Sequence, residues 1–181
     1  MSTQTSNAFS FRWRSWFGLA VALFLLYGAL NVLGAIFVPL SLHLNGAGGA
    51  GRPLVVAPEA DAAMLGRSLS ELDRTDPRLG AFLVSFMDSM CAYMMAFGLV
   101  YLGVTWFALR QGQAWALWVL LIGGLAIIPY IVVIGQTYAR FGVSTAGILL
   151  PQLVFLAVII LAATALGWFG LRRPRTVPAS A

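Results

Sequence analysis

Four apolar stretches, each long enough to cross a lipid bilayer, constrain this chain more than any other feature. They run near Trp16–Leu42, Leu79–Leu109, Ala114–Ile134 and Gly147–Leu171. Crossing the hydrocarbon takes roughly 20 apolar residues at about 1.5 Å each, and soluble core helices seldom sustain such runs. Composition agrees: only 9% of the 181 residues are charged, where soluble domains carry about a quarter. The stretches consume most of the chain and leave one sizeable connection and two short tails. The reading is a single all-α membrane domain over residues 16–171, a four-helix transmembrane bundle threaded up-down-up-down. Residues 1–15 form a short tail and residues 172–181 an Arg-rich one.

Arg12 and Arg14 precede the first apolar run. A secretory signal also begins with charge, but its apolar core is about 7–15 residues; this run is nearly twice that and reads as a retained helix. Helices are expected over about 16–42, 77–110, 114–138 and 145–171. Asp76-Pro77 suits a helix start, with Asp as N-cap and Pro at the first helical position. Gln111-Gly112-Gln113 is a tight turn, which makes the second and third helices neighbours. Pro129 predicts a kink in the third helix, and Ser144 or Thr145 suits the cap of the fourth. Ser85, Ser89, Ala92 and Ala96 form a stripe of small residues, read as the packing seam of the second helix.

The long connection, residues 45–76, opens with Gly46–Gly51, which disfavours regular structure. Farther on, Met64, Leu65, Leu69 and Leu72 recur at helical spacing, with Asp61, Arg67, Ser68, Glu71 and Arg74 on other faces. That pattern predicts a short amphipathic helix lying on the membrane or capping the bundle.

All eleven basic residues are Arg. Up-down threading puts Arg12, Arg14, Arg110, Arg172, Arg173 and Arg175 on one side, where the short connections contain no acid. All six Trp, at positions 13, 16, 106, 115, 118 and 168, fall on that same side, as an interfacial belt requires. These patterns predict a multi-pass protein of the cell inner (plasma) membrane with both termini cytoplasmic and the long loop outside. The Trp106–Trp115 turn is similar to turns in small bacterial four-helix membrane proteins and singles out no family. The net charge of +5 does not signal nucleic-acid binding, because no basic stripe forms. The single cysteine, Cys91, cannot form an intrachain disulfide.

Asp88 is the only acidic side chain deep inside an apolar segment. An Asp at a helix centre costs roughly 2.5–3.5 kcal/mol on insertion scales, so it has a partner or a task. Counted from Arg110 it lies 22 residues away, about 33 Å. Gln152 and Asn31 lie at comparable depth, and Gln136, Tyr130 and Tyr138 belong to the same half of the third helix. The ligand-binding candidates are therefore Asp88, Asn31, Gln152, Gln136 and Tyr130, forming a polar pocket beneath the long loop. The alternative reading has Asp88 near the interface, hydrated or paired with Arg78, Arg140 or Asn31. Met87, Met90, Cys91 and Met94 lie on one flank of the same helix; soft sulfur ligands suit Cu(I), but Met is more often an adaptable apolar filler. No CxxC, HExxH, GxSxG or phosphate-binding glycine motif occurs, and no cofactor or catalytic residue is assigned. The leading expectation is an accessory subunit or homo-oligomer acting through helix contacts, with the bilayer and a membrane-protein partner as its surroundings. A binder or carrier of a lipophilic or cationic ligand around Asp88 comes second. A membrane enzyme acting on a lipid or quinone-like substrate comes third.

Overall fold

The computed structural model describes residues 11–45 and 55–172, and every regular element among them is helical. In chain order these are α1 (Trp16–Asn45), α2 (Pro58–Leu65), α3 (Leu69–Thr75), α4 (Pro77–Gly103), α5 (Ala114–Leu125), α6 (Ile128–Arg140) and α7 (Ala146–Arg172). A π-helical turn, Val104–Ala108, and a 3-10 turn, Leu109–Gln111, extend α4. Four helical stretches are long and apolar enough to cross a membrane: Trp16–Leu44, Pro77–Gln111, Ala114–Arg140 and Ala146–Arg172. At 1.5 Å per residue they are about 40–52 Å long, which exceeds the ~30 Å hydrocarbon thickness. The chain is a multi-pass membrane protein.

Local chemistry explains the element ends. Asp76 accepts a hydrogen bond from the Leu79 amide at 3.2 Å, with Pro77 as the first helical residue. Gly112 turns the chain between the second and third spans with φ +81°, a conformation that favours glycine. The kink expected at Pro129 appears as a two-residue interruption, Ala126 and Ile127, between α5 and α6, with both residues still in the right-handed helical region: proline lacks an N–H and its ring crowds the carbonyl of Leu125, four residues earlier. The π-helical turn had no counterpart in the sequence pattern.

The connection before α4 corrects the expectation of one amphipathic helix. It contains two short helices, because Gly66 ends α2 in the left-handed region at φ 71°. Ser68 then starts α3 by accepting from the Glu71 amide at 3.2 Å. Asp61, expected on the polar surface of that helix, is buried. Residues 46–51 lie outside the described residues.

Glycine decides how the long helices meet. A Cβ on Gly98 of α4 would lie 3.0 Å from the Gly28 carbonyl oxygen of α1, and one on Gly170 of α7 would lie 2.5 Å from the Phe17 Cβ. Gly124 of α5 sits against Ile160 of α7, and Gly167 against Leu117. In each pairing the contacting residues run in opposite order along the two helices. α1 is thus flanked by α4 and α7, and α5 rests on α7. The Ser85, Ser89, Ala92 and Ala96 stripe, expected from sequence to be the packing seam of the second helix, is exposed and does not face α1. α4 meets α1 instead through the face that carries Cys91 and Gly98.

Packing is concentrated at the tryptophan end, where Phe17, Val21, Phe24, Leu109, Leu117, Leu120 and Ile160 are buried together. Tyr101 joins this core and donates its hydroxyl to the Leu120 carbonyl at 2.9 Å, tying α4 to α5. Ring contacts between Trp13 and Trp106 and between Trp118 and Trp168 gather the indoles there. A smaller cluster of Val56, Ala60 and Tyr138, backed by Met64, Ile134 and Leu149, occupies the other end.

Candidate functional site

The end of the helices away from the tryptophans carries two carboxylates on different elements. The last turns of α1 carry His43 beside Asp88 of α4, with Nε2 2.9 Å from Oδ2. These side chains are 59% and 37% exposed, at the rim of the helix pair. Along the helices Asp88 is about 33 Å from Arg110 and His43 about 40 Å from Trp16. Both therefore lie towards the end of the helices opposite the tryptophans. The partner of Asp88 is His43, 45 residues earlier, rather than Arg78, Arg140 or Asn31. With His43 protonated the contact is an ion pair; otherwise one shared proton makes it a hydrogen bond. Asp88 Oδ1 is buried and has no hydrogen-bond partner.

The other sequence-derived candidates occupy separate places. Asn31 donates its side-chain amide to the Tyr27 carbonyl of its own helix at 2.9 Å. Gln152 is exposed on α7, and Tyr130 is 70% exposed on α6. Gln136 lines an open cavity of about 370 Å³ between α6 and the start of α7, with Ser144 and Thr145. Among the described residues no hydrogen bond joins any of these four to Asp88. The sulfur-bearing residues also diverge. Cys91 is buried, Met90 is exposed, Met94 reaches towards Gly34 of α1, and Met87 lines a different cavity. No group of three His, Cys, Asp or Glu side chains among the described residues is arranged to hold a metal ion.

The second carboxylate, Asp61, was not among the candidates drawn from sequence. It is 5% exposed and accepts from the Val55 and Val56 amides, each at 3.1 Å, and from the Tyr138 hydroxyl at 2.6 Å. The backbone bonds fold the entry segment onto α2, and the Tyr138 bond fastens α2 to α6, 77 residues later. Beside this staple lies an apolar cavity of about 260 Å³ between α2, α4 and α6, walled by Met64, Leu65, Leu83, Phe86 and Met87. A weak signal was present in the chain: an acid in the first turn after Pro58 is placed to reach back to preceding amides, a longer-range form of the capping box. Nothing local announces Tyr138 as its partner. Compared with protein-family models, with curated proteins and with solved structures, the chain has no match in any of the three.

Proposed function

We propose that this chain is a small protein of the inner (plasma) membrane that acts through helix–helix contacts, as an accessory subunit or a homo-oligomer. In this reading it is threaded up-down-up-down, the tryptophan end faces the cytoplasm, and α2 and α3 cap the opposite end. The observation that carries it is the outward position of Ser85, Ser89, Ala92 and Ala96 on the side of α4 away from α1. In lipid, apolar surface by itself drives no association; helices join where small side chains let backbones approach. The serines ask nothing of a partner, since Ser85 donates to the Ala81 carbonyl and Ser89 to the Ser85 carbonyl, each at 2.9 Å. Exposed Phe82, Phe86 and Tyr93 form a rim on one side of this stripe. Replacing Ala92 with Phe fills the stripe without touching the intrachain seam. Native mass spectrometry in mild detergent is expected to find an assembly for the wild-type chain and a monomer for Ala92→Phe. A monomeric wild type with no partner, or an assembly unchanged by the substitution, refutes the reading.

One observation favours a second reading, a binder of a small cationic ligand. Asp88 Oδ1 is a buried acceptor with no partner, which an amine or a cation would satisfy. Loss of a retained small molecule in Asp88→Asn, with assembly unchanged, would support that reading over the first.

A further inference from the structure

At the tryptophan end, Arg110 lies between the residues that precede α1 and the last turn of the second span. Its guanidinium stacks over Trp106 at 4.3 Å and faces Phe11 at 5.3 Å. Two aromatic rings attract the cation and limit its range of positions. Its five N–H donors find no acceptor among the described residues, and the charge balance of the chain explains why. All six acidic residues lie between Glu59 and Asp88, and the nearest along the helix is about 33 Å away. Arg12, Arg14 and Arg172 share this end with no Asp or Glu side chain to neutralise them. Arg110 also lines a cavity of about 470 Å³ with Phe11, Trp106, Phe107 and Gln111. Phe107 is exposed, so this cavity adjoins the lipid-facing surface at the level of the tryptophans.

We propose that this cavity binds the phosphate of an anionic phospholipid, with Arg110 as its forked donor and Phe107 beside the acyl chain. A rigid planar guanidinium matches phosphate oxygens two at a time. The apolar rings beside it fit a lipid better than a free anion, and the excess of arginine at this end favours an anionic over a zwitterionic headgroup.

The test is native mass spectrometry of the full chain titrated separately with phosphatidylglycerol, phosphatidylcholine and inorganic phosphate. One phosphatidylglycerol is expected to be retained, at least about fivefold more tightly than phosphatidylcholine, in keeping with one arginine near a membrane surface. Arg110→Gln is expected to abolish that preference. Arg172→Gln, which removes a guanidinium stacked on Trp168 at 4.0 Å, is expected to keep it. If Arg110→Gln does not fold, Arg110→Lys serves: it retains the charge, loses the fork, and is expected to weaken retention where Arg172→Lys does not. Equal retention of the two lipids overturns the proposal. So does an equal fall in the Arg110 and Arg172 variants, which would mark a diffuse surface field, or displacement of the lipid by inorganic phosphate at matching concentration, which would mark a free-anion site.

Discussion

Removing one oxygen atom from Tyr138 tests how α2 is attached to the bundle. The Tyr138 hydroxyl donates to a buried carboxylate at 2.6 Å, and hydrogen bonds to charged groups contribute about 1.5–3 kcal/mol. Tyr138→Phe leaves the ring in its cluster with Val56 and Ala60 and is expected to cost that amount. Asp61→Ala strips the acceptor from the Tyr138 hydroxyl and the Val56 amide together, while the exposed Val55 regains solvent. Two buried donors left without acceptors cost about 1–3 kcal/mol each, roughly 2–6 kcal/mol in total. The double variant should cost less than the sum, since both changes break the same bond. Reversible unfolding in mixed micelles gives the three energies. Amide hydrogen exchange at Val55 and Val56 shows where they act: fast in Asp61→Ala, slow in Tyr138→Phe. The reasoning is refuted if Tyr138→Phe lies within about 0.5 kcal/mol of wild type, or if the two substitutions are additive.

Two further substitutions probe the long-helix packing. Gly170→Ala places a methyl group 2.5 Å from the Phe17 Cβ; overpacking of this kind costs about 1–3 kcal/mol, so the unfolding midpoint should fall, while Gly103→Ala, at a helical position with open space around it, should not lower it. Tyr101→Phe removes the buried bond to the Leu120 carbonyl and is expected to cost about 0.5–1.5 kcal/mol in the same titration, without altering exchange at Val55 or Val56.

The four membrane-length helices were legible because length and hydrophobicity are local properties, and so were the Asp76 cap and the turn at Gly112. What escaped the sequence depends on distance or on solvent. Asp61 resembles a surface acid on an amphipathic pattern, and only the fold brings Tyr138 to it across 77 positions. His43 and Asp88 likewise meet across 45. The small-residue stripe on α4 reads as a packing seam without naming the neighbour it meets, because an apolar side chain has the same affinity for lipid as for a neighbouring helix. Hydropathy therefore cannot tell an inward face from an outward one here. Glycines 98, 167 and 170, scattered among many others, make close approaches.

The outward face of α4 carries the functional account, and cysteine cross-linking in native membranes tests it most directly. Cys91 is buried and is the only cysteine, so Cys91→Ser provides a clean background in which Ser89→Cys places a single thiol in the middle of the stripe. Oxidation is expected to join this position to the same thiol of a second copy, or a photo-activated label attached to the thiol to join it to a partner chain, at one reproducible mass. A control cysteine at exposed Phe155 of α7 should not react in that way. Position 89 remaining monomeric, or cross-linking no better than position 155, would contradict the account.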